Sequence, residues 1–156
     1  MTISKSVKEF LDQNDVKYAS IIHSKAYTAQ EIASSSHISG YNLAKTVVLK
    51  DKNDKHALAV LRAVDKVDLE AFNEKTDLED VELAGEDEFR DLFPDASTGA
   101  MAPFGNLYEL PTYVDKALEE FHMITFNAGN HEELIRMPYQ KYKELVQPQL
   151  LKFRLE

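Results

Sequence analysis

Lys45 lies in the run Leu43-Ala44-Lys45-Thr46-Val47-Val48-Leu49-Lys50, whose aliphatic and β-branched residues favour a strand. Strand side chains alternate between two faces, so Leu43, Lys45, Val47 and Leu49 share one face and Ala44, Thr46, Val48 and Lys50 the other. An ammonium therefore stands in line with three aliphatic side chains. Desolvating it is costly, so it must reach water along its own stem or meet a partner. Two readings stay open: a surface lysine covering apolar area, or a cation at a pocket mouth, placed for a phosphate or a polarised oxygen. Two other stretches carry the same double reading. In Thr98-Gly99-Ala100-Met101-Ala102-Pro103-Phe104-Gly105, glycine removes a Cβ and proline a donor, so the backbone can come close to something. A tight turn between strands explains that stretch as well. Asn127-Ala128-Gly129-Asn130-His131 is a second loop of small residues. Lysine and loops together describe a pocket for a small group, with backbone donors and acceptors and one cation.

Other chemistries lack their residues. There is no cysteine, which removes disulfides, thiolate metal sites and thiol nucleophiles. His23, His37, His56, His122 and His131 are scattered, without the close pair that a metal helix would use. No metal site and no cofactor is expected. No nucleophile elbow, phosphate-cradling loop or dinucleotide fingerprint is present. The acidic groups Glu79-Asp80-Val81-Glu82 and Glu86-Asp87-Glu88 read as solvated faces.

The elements that must position these residues are short. Val7, Phe10 and Leu11 give a first helix an apolar stripe, with Asn14-Asp15 closing it. Val16 to Ile22 reads as a strand, Thr28 to Ala33 as a capped helix and Ser34 to Gly40 as a loop leading to Lys45. Asp51 to Lys55 is a turn, and His56 to Arg62 returns as the second strand of an antiparallel hairpin buried on both sides. A helix over 65–73, a brief strand at 81–83 and an acidic helix over 86–93 follow. Beyond Gly105 the pattern predicts a strand at 107–110, a turn or helix over 113–121, a strand at 123–126, a last strand at 132–136, and a helix from Pro138 to Val146. Such spacing is too short for repeated parallel crossovers. The expected fold is α+β (mixed α/β): a curved, mixed, mostly antiparallel sheet flanked by short helices.

A length of 156 residues and a hydrophobic share of 44% fit a single domain over 1–156. Neither a signal peptide nor a membrane span is visible, so a cytoplasmic protein without membrane contact is expected. The net charge of −9 argues against a general nucleic-acid coat. The charge is uneven: nine Lys/Arg against six Asp/Glu up to Arg62, nine against twenty-one beyond it. Solvated surface is the usual explanation of such a split, and a local basic face around Lys45 is also compatible with binding a nucleic-acid end.

In the order and separation of Ala44-Lys45-Thr46, Gly99-Ala100-Met101-Ala102-Pro103-Phe104-Gly105 and Phe126-Asn127-Ala128-Gly129-Asn130-His131, the chain resembles the YbaK / prolyl-tRNA synthetase editing-domain family of bacterial trans-acting aminoacyl-tRNA deacylases. The resemblance runs from about Val16 to Val146. It implies hydrolysis of the ester joining a mischarged, small amino acid to the 3′-terminal adenosine of a tRNA, with tRNA-Pro the favoured carrier. It implies water as the nucleophile, assisted by the substrate's own ribose hydroxyl. Carried over residue by residue, Lys45 would hold the terminal nucleotide and the Gly99 carbonyl would position water or substrate. Thr46, Pro103, Phe104 and Gly105 would border the site, Ala128 and Gly129 would give room, and His131 would edge the aminoacyl pocket. The implied partner is the aminoacyl 3′ end of tRNA. The acidic second half points to delivery by a synthetase or an elongation factor. The alternative is a non-catalytic aminoacyl- or nucleotide-binding module with the same pocket.

Overall fold

The computed structural model describes residues 5–22, 41–94, 101–129 and 133–155. The helix expected at 28–33 and the loop at 34–40 lie outside them.

Chain order begins with helix α1 (Lys5–Gln13), which buries Val7 and Leu11. It ends where Asp15 turns left-handed at φ 53°, a conformation Asp tolerates better than most residues. Strand β1 (Ala19–Ile22) is followed, after the undescribed residues, by β2 (Ala44–Lys50) and β3 (His56–Arg62). These two pair antiparallel from Ala44↔Arg62 to Lys50↔His56. Asp51 closes their turn: its buried carboxylate accepts from the N–H groups of Asn53 at 2.9 Å and Lys55 at 3.0 Å, an Asx turn.

Then come α2 (Leu69–Lys75), β4 (Glu82–Leu83) and α3 (Glu86–Leu92). Strands β5 (Thr112–Asp115), β6 (Met123–Asn127) and β7 (Glu133–Pro138) lead to helix α4 (Tyr139–Val146) and strand β8 (Gln149–Leu151). The strands form a five-stranded sheet, β4-β2-β3-β5-β8, and a three-stranded sheet, β1-β7-β6. A parallel bridge between Leu43 and Thr125 links them. Pairing is mostly antiparallel, with β5 parallel to both β3 and β8, so the α+β fold with a mixed, mostly antiparallel sheet is the one present.

The five-stranded sheet is buried on both faces, which is why β2 and β3 read as nearly continuous apolar runs. On one face, Ala44, Val60 and Val114 pack with α1, α4, Phe104, Phe126 and Ala128. Farther along the same face, Val48 and Leu58 meet Phe89, Phe93 and Met101. On the opposite face, Leu49, Ala57, Ala59 and Leu61 pack with Phe72, Tyr113 and Phe153. The Phe72 ring lies edge-on to Tyr113 at 5.3 Å and tilted against Phe153 at 4.7 Å.

Three local expectations are corrected. Residues 105–108 form a 3-10 helix, not a strand, because Gly105 must pass close to Leu110 and Thr112: an added Cβ would lie 2.3 Å from Thr112 Oγ1 and 2.6 Å from the Leu110 carbonyl oxygen. Residues 112–115 form a strand, and only 116–120 are helical, in 3-10 form. The polarity of Asp115 hides that strand, since its carboxylate serves as the N-cap, accepting from Ala117 N–H. Strand β7 is also not the last, for β8 follows α4 and pairs with β5.

Candidate active site

Lys45 lies opposite Leu61 in the hairpin, on the face it shares with Leu43, Val47 and Leu49. Its half-buried ammonium donates to the Ala63 carbonyl at 3.3 Å. It stands at a cavity of about 310 Å³ whose apolar walls are Val47, Val67, Leu69, Leu83 and Leu155. A second cation, Lys66, lines the same cavity. Desolvation pushes the Lys45 pKa down; nearby Asp65 pushes it back up, and Lys66 pushes it further down. The net direction is downward because desolvation, the largest effect, outweighs the pull of Asp65. Its two carboxylate oxygens accept from Arg62 Nε at 2.7 Å and Nη2 at 3.1 Å, the forked geometry that suits guanidinium and carboxylate. Arg62 in turn lies 5.3 Å from the Tyr41 ring centroid.

The cavity owes one wall to the C-terminal segment. Val67 is bridged to Arg154, Asp68 N–H donates to the Phe153 carbonyl at 2.6 Å, and Leu155 N–H donates to the Lys66 carbonyl at 2.8 Å. Asp115 fixes that segment. Its buried carboxylate accepts from Phe153 N–H at 2.9 Å, Arg154 N–H at 3.1 Å, Arg154 Nη1 at 2.8 Å and Ala117 N–H at 2.9 Å. Burial alone would raise the Asp115 pKa; these donors outweigh it and hold the carboxyl below its ordinary value.

The other expected site residues fall in different places. Thr46 points away from Lys45, as strand parity requires, and lines a neighbouring groove of about 230 Å³ with Val48, Ala84, Gly85 and Phe89. Phe104 is fully buried, edge-on to Phe10, Phe126 and Tyr142 at 5.8, 5.4 and 5.5 Å. Pro103 is buried, and its carbonyl accepts from the Tyr142 hydroxyl at 2.7 Å. Gly105 N–H donates to Thr112 Oγ1 at 3.1 Å. These three residues build the core and its turn, and the Phe104 side chain has no surface to offer a ligand. Ala128 is buried in the same cluster, its N–H donating to the Glu133 carbonyl at 3.1 Å. Gly129 adopts φ 102°, a conformation a Cβ would strain. Thus Ala102, Phe104 and Ala128, from the described parts of the two loops, share a cluster with Ala44, across the sheet from Lys45. Gly99 and His131 lie outside the described residues. Among the described residues there is no His/Asp/Glu cluster able to hold a metal, and no helix is long and apolar enough to cross a membrane.

Two candidates escaped the sequence reading. Lys66 lines the cavity, and its backbone carbonyl is held by the C-terminal segment, a contact with no local signature. Asn127 ends β6 on the face continuous with Lys45. Leu43 is bridged to Thr125, and Leu134, which is opposite Asn127, packs with Leu43 and Ala63. Asn127 is buried, yet among the described residues its Oδ1 has no hydrogen-bond partner, a costly state for a carbonyl oxygen. Its signal was a polar residue closing an apolar strand just before the glycine loop.

A family model, the aminoacyl-tRNA editing domain, matches residues 23–145. The hypothetical protein APE2540 has the same fold: TM-score 0.86 at 16% identity, over 97% of this chain and all (100%) of that one. A candidate trans-editing enzyme for prolyl tRNA synthetase aligns with TM-score 0.82 at 19% identity, over 98% of this chain and 97% of its own. A candidate signal transduction protein from Marinobacter aquaeolei VT8 matches with TM-score 0.73 at 20% identity, over 97% of this chain and 30% of its own. Among curated proteins none matches.

Proposed function

Since the chain belongs to the aminoacyl-tRNA editing-domain family, we propose that it is an aminoacyl-tRNA deacylase acting on mischarged tRNA in trans. Water attacks the ester carbonyl carbon and the bond from that carbon to the ribose oxygen breaks. The ribose oxygen leaves as a hydroxyl with a proton from the attacking water, and the free amino acid is released. The observation carrying this reading is Lys45: an under-neutralised ammonium at the edge of an apolar cavity, within the matched domain. An ammonium of that kind suits the terminal phosphodiester of a tRNA, and a preorganised cation also favours charge developing on the ester. Asn127 Oδ1 on the continuous face is an acceptor for a substrate ammonium or ribose hydroxyl. Gly99 and His131 keep the roles implied by the family resemblance, as backbone carbonyl at the reaction centre and as edge of the aminoacyl pocket.

The amino acid removed is a small one, alanine, serine, cysteine or threonine, because a pocket excludes larger side chains by steric clash more sharply than smaller ones by lost contacts. tRNA-Pro is the proposed carrier, delivered by a synthetase or elongation factor. A deacylation panel across mischarged tRNAs tests this. Cleavage is expected for small aminoacyl esters. Cleavage of bulky esters alone would overturn the small-pocket reading, and tight binding without hydrolysis of any ester would favour the non-catalytic module.

A further inference from the structure

The Lys45 cavity carries a second cationic side chain. Lys45 and Lys66 both line it. The carboxylate acting on Lys45, Asp65, has both oxygens committed to Arg62. Among the described residues, no carboxylate lies within ion-pair distance of Lys66. Two lysines thus line one concavity, the exposed Lys66 near enough to act on Lys45, in a chain of net charge −9. Like charges placed together, with the nearby acid already paired to Arg62, oppose folding, an arrangement that an anionic ligand relieves.

The cavity's other property is apolar. Leu83 and Leu155, both lining it, remain 58% and 53% exposed, and Val47, Val67 and Leu69 continue the surface inward. A ligand matching both properties has a flat apolar body and phosphate groups on one side. A volume of about 310 Å³ is at the lower end for small-molecule sites and suits one nucleobase with its sugar.

We infer that Lys66 is a second phosphate-binding residue, so that Lys45 and Lys66 together grip successive phosphodiesters of a single-stranded 3′ end whose last base enters the apolar cavity. The inference rests on the deacylase reading only for the identity of the nucleic acid. Lys66 acts as a binding residue; its backbone is set by the Leu155 and Val67 contacts to the C-terminal segment, so the ammonium starts from a fixed base.

The test uses the full chain and a 5′-fluorescein-labelled RNA trinucleotide, CCA, in anisotropy titrations at several salt concentrations. Lys66→Gln should weaken binding about tenfold, the loss of one charge-assisted contact. It should also flatten the plot of log affinity against log salt by about 0.7, the share of one neutralised phosphate in a single strand. Lys66→Arg should bind within about threefold of the wild type, since charge is retained. Lys52→Gln, on the β2–β3 turn and paired with Glu79 at 3.6 Å, should change neither quantity, and thermal midpoints should match throughout. Unchanged affinity and slope for Lys66→Gln would overturn the inference. So would equal losses for Lys52→Gln, which would indicate diffuse attraction, or an absence of RNA binding by the wild type. Deacylation separates this outcome from that of the parent reading. Lys66-dependent RNA binding without hydrolysis of any ester would leave the inference standing and the deacylase reading refuted. Hydrolysis with wild-type KM by Lys66→Gln, with unchanged trinucleotide binding, would do the reverse.

Discussion

Lys45 on β2 and Asp115 on β5 are charged residues of the same sheet, separated by β3, and the fold treats them in opposite ways. Asp115 is wholly buried and surrounded by donors: three backbone N–H groups and the Arg154 guanidinium. Lys45 keeps partial contact with solvent, and among the described residues its ammonium, with three protons to donate, meets one carbonyl at 3.3 Å. A charge whose hydrogen-bonding capacity is filled from within the chain is part of the architecture. A charge left short, facing a cavity, has capacity for a ligand. The two are linked, because Asp115 holds the segment that supplies Leu155 and fixes the backbone of Lys66.

Lys45→Ala gives the most direct test of that contrast. Deacylation should fall by about 10²-fold or more, as for loss of a charge-stabilising contact in a transition state. The thermal midpoint should hold or rise slightly, since a partly desolvated ammonium is removed. Lys45→Arg should restore only part of the activity, a planar fork replacing a compact ammonium. Single-turnover kinetics and a melting curve measure both. A large fall in midpoint with a proportional loss of activity would make Lys45 structural and erase its difference from Asp115.

Asp115→Ala should do the opposite: cost stability first and activity second. Removing one partner of a buried, hydrogen-bonded pair costs about 3–5 kcal/mol, and here two backbone donors of the C-terminal segment are also left without an acceptor. The pH dependence has a definite sign. The folded-state pKa is held below its ordinary value, so the stabilisation is present above the unfolded pKa and is lost as pH falls through the folded one. Urea unfolding of wild type and Asp115→Asn across acid pH should show the gap narrowing with acidity. A gap independent of pH would indicate lost packing instead of lost charge.

Gly105→Ala is the third and smaller effect. The new Cβ meets Thr112 Oγ1 and the Leu110 carbonyl within 2.6 Å. Relief must come from moving backbone, at a cost of about 1–3 kcal/mol. This variant tests whether the loop around Pro103 is architecture: denaturant midpoint should fall while KM for aminoacyl-tRNA stays within about twofold. A raised KM at unchanged stability would return the loop to the ligand site.

Strand parity made the Lys45 face legible in the sequence, because alternation on a strand is local and strict. The hairpin, α1, α3 and α4 were legible for the same reason: their apolar spacing is carried within each element. The sites of Phe104 and Gly105 were not, since the same small-residue pattern serves a ligand loop and a tight core turn; only the contacts to Tyr142 and Thr112 decide. Strand β5 was hidden by Asp115, whose charge reads as exposed until Phe153 and Arg154 are brought to it from 38 and 39 residues away. Lys66 escaped through the same long-range segment.

Glu88 offers the mildest test, a charge intermediate between Lys45 and Asp115 in satisfaction. It sits in the first turn of α3, where a carboxylate is favoured by the helix dipole. Its oxygens meet His56 Nε2 at 2.8 Å and Lys50 Nζ at 3.0 Å. The hydrogen bonds from His56 and then Lys50 pull its pKa from 4.5 down to about 2. The side chain is 30% exposed, so water and salt screen these attractions and the net stabilisation is small. Glu88→Gln keeps shape and loses charge; at neutral pH its thermal midpoint should fall by less than that of Gly105→Ala. The lowered pKa makes the stabilisation complete above 4.5 and lost as pH approaches about 2. Melting curves of wild type and variant should therefore converge through that interval, and added salt should close the gap at neutral pH. Curves that stay equally separated in acid and in high salt would show that Glu88 acts through packing, leaving charge satisfaction no guide to its role.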